Sequence, residues 1–306
     1  MSLVVEHLSK KFGEKVAVKD LSFTINEPGV FAFLGTNGAG KSTSIRMILG
    51  MLAKDSGTVT WEGKPLDIMK EQVGYLAEER GLYPKYNILE QMYYFASIKG
   101  VKKKDATPAI DYLFSRLKIE EYKKMKAEQL SKGNQQKVQL AAALLCNPRL
   151  IILDEPLSGL DPVNADLFKS IIREERDSGK YIIMSSHQME TIEEFCEDLV
   201  LLHHGEVVMS GNLNDIKRSR GRENLTVKAD RPVNDIAQRC GLTLVEETPN
   251  GSSFKVRSEE DARQMLKEML SSGINVIKFD LREPSLHELF VEKCGENTEE
   301  KAPEVR

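Results

Sequence analysis

VFAFLGTNGAGKST, residues 30–43, decides how the first two-thirds of the chain is built. VFAFL is an unbroken apolar run of strand length, the pattern of a strand buried on both faces of a parallel sheet. GTNGAGKST then fits GxxxxGK[ST] at every position, in the strand–turn–helix setting that such a loop requires. Gly35, Gly38 and Gly40 let main-chain N–H groups turn toward phosphate oxygens, and Thr36, Asn37, Ala39 and Thr43 complete the loop. The helix that opens at Lys41 adds its positive dipole end. Lys41 is expected to reach β- and γ-phosphates, and Ser42 to ligate Mg²⁺.

Two more apolar runs extend this plan. PRLIILDEP (148–156) is a buried strand ending in two acids: Asp154 is suited to hold Mg²⁺ opposite Ser42, and Glu155 to hold the attacking water. KYIIMSSHQ (180–188) is a further strand, and His187 just beyond it is placed to contact the γ-phosphate and orient Glu155. Parallel strands with helical crossovers make this an α/β domain.

LSKGNQQKVQLAAALL (130–145) raises a separate question. A helix N-terminus preceded by Ser131 and Gly133 accepts an anion well, yet the loop at 35–42 already encloses the chain's own phosphates. The economical inference is that Ser131 and Gly133 close over ATP held by a different subunit. Two chains arranged head to tail then bury two ATP molecules between them.

These motifs together resemble the ATP-binding subunits of ABC transporters: GTNGAGKST, the signature LSKGNQQKV, LIILDEP, SGLDP (158–162) and the His of SSHQM, in that order and spacing through roughly residue 215. The resemblance implies a P-loop NTPase of ABC type with a helical subdomain (about 85–145) and an antiparallel β subdomain. It also implies ATP and Mg²⁺ as cofactors, a homodimer or heterodimer of ATP-binding subunits, and a polytopic membrane permease as partner. By residue, it makes Glu155 the catalytic carboxylate, His187 the switch and Lys41 a phosphate ligand. Phe12 becomes the aromatic that stacks on adenine, although from the residues alone it could equally be a core Phe of a hairpin. Ser131, Gly133, Asn134 and Asp161 become contacts to the partner's site. YLAEERGLYPKYN and the ending EPSLHELFVEKCG are similar to the bacterial ABC-2 type exporter group, which includes sodium-extrusion and drug-resistance subunits.

The chain departs from the family in two places. The signature reads LSKGN where LSGGQ is usual, with Lys132 adding a charge and Asn134 a shorter amide. After VGYL the family commonly has a Gln; here Glu78 stands there, expected to be a Mg²⁺ contact and a residue of the catalytic site. The aromatics Tyr83, Tyr86, Tyr93, Tyr94 and Phe95 are divided between core packing and a groove for a permease helix. The Lys run at 102–104 reads as a solvated loop.

After residue 223 the order changes to strand, helix, strand, strand, helix, strand, a small ferredoxin-like α+β domain expected over 222–295. The ABC domain is expected over 1–218, and the acidic 296–306 as a disordered tail. REPSLHELF holds a Pro and a Ser fit to start a last helix.

Bulk composition agrees. With 306 residues, 41% of them apolar, and a formal charge of −4, the chain has core enough for two domains and no basic surface for nucleic acid. Its four cysteines form no CxxC pair, which argues against zinc or a disulfide framework. No apolar stretch approaches a membrane span. The expected place is therefore cytoplasmic, peripheral on the inner face of the membrane through the permease. The alternative is a soluble ABC-type ATPase with a regulatory or ribosome-associated role.

Overall fold

The computed structural model describes residues 2–68, 73–79 and 81–299, of which 295–299 are described by their backbone alone. The chain divides into two compact units, Met1–Ser210 and Gly211–Arg306. The division falls ahead of the 218–222 expected from sequence. Helix α7 (Leu213–Arg220) lies in the second unit, where its Arg220 pairs with Glu292.

In the first unit β1 (Leu3–Phe12), β2 (Lys15–Ile25), β4 (Ser56–Trp61) and β5 (Lys64–Pro65) form an antiparallel sheet ordered β2-β1-β4-β5. Leu3 and Val5 of β1 alternate inward, as the period of a strand requires, and meet Phe31, Phe33 and Ile45 in one core. Phe23 of β2 stacks on Phe31 with ring centroids 4.8 Å apart.

Phe31 and Phe33 belong to β3 (Gly29–Gly35), the middle of a six-stranded sheet ordered β10-β9-β3-β8-β7-β6. Its other strands are β6 (Val73–Leu76), β7 (Leu150–Asp154), β8 (Tyr181–Ser186), β9 (Asp198–His203) and β10 (Glu206–Asn212). β3 pairs in parallel with β8 on one side and β9 on the other, so its exit lies where open α/β sheets place ligands. Every residue of β7 and β8 is buried, which is why both read as unbroken apolar runs. The β9–β10 hairpin turns at His204 and Gly205, both at positive φ (49° and 81°), as a two-residue primed turn demands.

Helices α1 (Lys41–Ile48) and α5 (Pro162–Asp177) serve the parallel sheet, while α2 (Ile88–Ile98), α3 (Lys103–Leu117) and α4 (Lys132–Leu144) pack together as a helical layer. Asn87 caps α2 through the Leu89 N–H at 3.0 Å. α3 starts earlier than expected. Lys103 and Lys104 form its first turn rather than a loop, and the Lys103 ammonium stands 4.6 Å from the Tyr93 ring centroid. METIEEFCEDLV is not one helix either: α6 stops at Glu193, because Asp198–Val200 feed the apolar strand beside β3.

The second unit runs β11 (Asn224–Ala229), α8 (Asn234–Arg239), β12 (Thr243–Thr248), β13 (Gly251–Lys255), α9 (Glu259–Ser271), β14 (Val276–Arg282) and α10 (Leu286–Glu299). Its sheet order β12-β13-β11-β14, antiparallel throughout, is the ferredoxin-like βαββαβ arrangement expected. Ala262, Met265 and Met269 put one face of α9 against Leu225, Val227 and Phe254. Ser285 and Glu288 close a capping box: the Glu288 N–H donates to Ser285 Oγ at 3.2 Å and the Ser285 N–H to Glu288 Oε2 at 2.7 Å. Residues 296–299, expected to begin a disordered tail, continue α10; 300–306 lie outside the described residues.

Candidate active site

The phosphate loop follows from its glycines. Gly40, at φ 107°, starts α1 without a capping side chain, and no acid occupies the first turn. The first N–H groups of α1 therefore stay available for an anion. A Cβ on Gly40 would stand 2.5 Å from Ala17 O, and one on Gly35 2.5 Å from Leu202 O. The Gly205 N–H donates to Ala39 O at 3.0 Å, fixing the loop against the β9–β10 turn. Lys41 is 6% exposed. Its ammonium donates to Gly35 O at 2.7 Å and Thr36 O at 3.3 Å, and stands 3.2 Å from Glu155 Oε1.

Asp154 and Glu155 leave β7 at the same end of the sheet. Ser185 of β8, fully buried, joins them: its hydroxyl donates to Asp154 Oδ1 at 2.5 Å and accepts the Glu155 N–H at 2.9 Å. Glu155 adopts φ 51°, a left-handed conformation costing about 1–3 kcal/mol in a non-glycine residue. The Ser185 bond helps hold it there. His187 Nδ1 lies 2.9 Å from Glu155 Oε2. Glu155 Oε1 lies near the Lys41 ammonium and has no aligned hydrogen bond among the described residues.

The donor set suits a hard cation. Asp154 Oδ2 is buried and without a hydrogen-bond partner among the described residues. Burial pushes the Asp154 carboxyl above its ordinary range, against the pull of the Ser185 and Ser42 hydroxyls. Ser42 Oγ is 3.5 Å from Glu78 Oε2, and the same hydroxyl also acts on Asp154. Among the described residues no cluster of three or more His, Cys, Asp or Glu forms a metal cage.

Thr36, Asn37, Gly38, Lys41, Ser42, Glu78 and Glu155 line one cleft. Gly35, Ala39, Gly40, Thr43, Asp154 and His187 stand around it without lining it, and Phe12, Ser131, Gly133, Asn134 and Asp161 are not among its lining residues either. Phe12 is half exposed at the tip of β1, outside the core that the hairpin reading allowed for. Ser131 caps α4, its Oγ accepting the Asn134 N–H at 3.3 Å, and remains exposed. Asp161 caps α5 through the Asn164 N–H at 3.0 Å.

Three participants escaped sequence reading. Ser185 left one signal, a polar residue inside a strand buried throughout. Gln136 and Gln139 sit in a stretch whose helical character was plain but whose amides had no evident targets. The Gln136 Nε2 donates to Pro156 O at 2.8 Å, and the Gln139 Nε2 to Glu79 O at 3.2 Å.

Away from the cleft, an apolar groove is lined by Leu49, Met51, Tyr75, Leu82, Phe95 and Ile98, with Cys146 at its side. Tyr83, Tyr86 and Tyr94 are exposed beside it, whereas Tyr93 and Phe95 are partly buried. Tyr83 gathers the rings of Tyr86, Tyr94 and Phe95 at centroid distances of 6.0, 6.0 and 6.4 Å. Buried Gln91 holds the strip from behind, donating to Tyr83 O and Tyr86 O and accepting the Tyr83 N–H.

The family model described as ABC transporter matches residues 18–158, spanning the phosphate loop, the signature and the Asp154–Glu155 pair. An uncharacterized ABC transporter ATP-binding protein of Bacillus subtilis, YhaQ, is 42% identical over 294 residues, covering 96% of this chain and 98% of its own. The chain belongs to the ABC transporter ATP-binding proteins. This ABC subunit is an ATP-hydrolysing enzyme, and its second unit matches the model described as ATP-binding protein DrrA1-3-like, C-terminal domain, over residues 211–294. The Nod factor export ATP-binding protein I of Sinorhizobium fredii is 28% identical, with 96% of this chain and 86% of that one aligned. Among solved structures, an ATP-binding subunit of an ABC transporter matches with a TM-score of 0.67 at 31% identity, over 72% of this chain and 94% of that one. The departures of this ABC subunit are both exposed, but Glu78 lines the cleft, while Lys132 stands at the start of α4.

Proposed function

We propose that the subunit powers a membrane exporter of the ABC-2 type, two copies closing head to tail around two ATP molecules. The observation that carries this reading is the separation within one chain. Lys41, Ser42, Glu78 and Glu155 share a cleft that Ser131, Gly133, Asn134 and Asp161 do not line, while Ser131 is exposed at a helix N-terminus fit for an anion.

In this reading Lys41 and the α1 N-terminus bind the β- and γ-phosphates, Phe12 stacks on adenine, and Glu155 holds the attacking water while His187 orients its carboxylate. Ser42, Asp154 and Glu78 hold Mg²⁺, which when bound offsets charge on the β- and γ-phosphate oxygens. Ser131, Gly133, Asn134 and Asp161 complete the partner's site.

None of the described helices is long and apolar enough to cross a membrane. The permease is a separate polytopic chain, whose cytoplasmic helix occupies the apolar groove beside Tyr83 and holds the subunit at the inner face of the membrane. Export is supported by the Sinorhizobium relative, whose name states it.

The test is affinity purification of the tagged chain from detergent-solubilised membranes. A stoichiometric polytopic protein supports the reading; recovery from the soluble fraction alone, or with ribosomes, overturns it while leaving the ATPase in place.

A further inference from the structure

We infer that Gln136 and Gln139 are positioning residues through which each subunit's own cleft governs the helix that grips its partner's ATP; this rests on the head-to-tail reading above. Both lie on α4, whose N-terminus carries Ser131 and Gly133. Gln136 Nε2 donates at 2.8 Å to the carbonyl of Pro156, the residue after Glu155. Gln139 Nε2 donates at 3.2 Å to the carbonyl of Glu79, the residue after Glu78.

The two glutamines are three positions apart, so they share one side of the helix. Each is bonded one residue beyond a carboxylate that lines the cleft. Gln139 is 8% exposed, and a bond shielded from water is costly to leave unmade. A shift of either loop on ATP binding or hydrolysis therefore pulls on α4, and with it on Ser131. Gln135, also on α4, ties the segment ahead of Ser131 to the same helix: its Nε2 donates to Ala127 O at 2.8 Å and Leu130 O at 3.1 Å. Neither Gln136 nor Gln139 touches the space for the phosphates. They act through the loops.

The variants are Gln136→Met and Gln139→Met, singly and together, which keep side-chain length and remove the donor. Gln136→Glu is a second probe, isosteric but unable to donate when ionised. In the full-length protein, ATP hydrolysis is followed against ATP concentration, alongside fluorescent-ATP binding without Mg²⁺ and thermal unfolding. Positioning predicts a wild-type Hill coefficient above one that falls toward one in the double variant. Maximal rate drops roughly tenfold, the size expected from losing such bonds, with single-site ATP affinity close to wild type and the loss persisting at temperatures well below each variant's melting point.

A wild type that hydrolyses ATP without cooperativity, or variants that keep its cooperativity, overturns the inference and leaves the ATPase reading intact. A loss of rate that only tracks a lowered melting temperature overturns it too. A wild type whose specific activity is independent of protein concentration down to the monomer overturns the head-to-tail reading itself.

Discussion

His187 Nδ1 stands 2.9 Å from Glu155 Oε2, while the other oxygen of that carboxylate faces the Lys41 ammonium at 3.2 Å. The imidazole thus fixes the direction of a side chain whose backbone is already held at positive φ. Glu155→Gln is expected to lower the maximal ATPase rate by roughly 10²–10⁴-fold with little change in ATP affinity. His187→Ala should cost about a hundredfold, and the double variant less than the product, because the two act as one unit. Steady-state kinetics with equilibrium nucleotide binding checks all three.

Glu78 offers a test by metal. Its carboxylate stands 3.5 Å from the Ser42 hydroxyl and lines the same cleft, so Glu78→Gln removes a formal charge without changing shape. The Mg²⁺ concentration for half-maximal ATPase should rise several-fold, roughly the size of one charged contact. Unchanged Mg²⁺ dependence would remove Glu78 from the metal site.

Two glycines of the phosphate loop separate crowding from strain. Gly38 has φ 81° but open space where a Cβ would stand, whereas Gly40 at φ 107° has Ala17 O within 2.5 Å. Gly38→Ala is expected to cost about 1–2 kcal/mol in unfolding free energy, from backbone strain alone. Gly40→Ala should cost more and displace β2 or α1, to be read by denaturant unfolding and by loss of nucleotide binding.

The last prediction concerns pH. Burial opposes the charge of Glu288, but the Ser285 N–H and hydroxyl, with Lys255 and Arg282 nearby, outweigh it and hold the carboxyl below its ordinary 4.5. A depressed carboxyl stabilises the folded state above its unfolded value and loses that contribution as the pH falls through the folded one. Glu288→Gln should therefore be less stable than wild type by about 0.5–1 kcal/mol at pH 7. The gap should close below about pH 4.5. Urea denaturation of the full chain at both pH values measures it.

Much of this was legible in sequence where a residue's role depends on its immediate neighbours. VFAFL and LIILD announce buried strands, GTNGAGKST can hardly be another structure between strand and helix, and EPSLHE spells its capping box in order. What depends on distant partners was not legible. Nothing in KYIIMSS says that the first Ser bonds both Asp154 and Glu155, thirty-odd residues earlier. METIEEFCEDLV has helical periodicity, but a vacancy beside β3 claims its last residues for β9. The Lys run before Asp105 looked like solvated coil, yet its stems serve a first helical turn. Most of the α7 segment falls within the 1–218 expected for the first domain, because its partner Glu292 lies 72 residues beyond Arg220.

The three close approaches around the phosphate loop have a feature in common. Gly35 faces Leu202 O, while Gly40 and Gly205 both face Ala17 O. In each case the nearest atom is a main-chain carbonyl oxygen, with Ala39 Cβ 2.9 Å from the Gly35 position and Val18 Cγ2 3.2 Å from that of Gly40. Replacing Ala17 or Leu202 alters a side chain and leaves the oxygen where the sheet puts it, so substitution at those two positions leaves the tightest contact unchanged. Exposed side chains such as Phe12, Glu78 and Lys132 carry no such constraint. Those are positions where this sequence has room to differ from its relatives without reshaping the sheets.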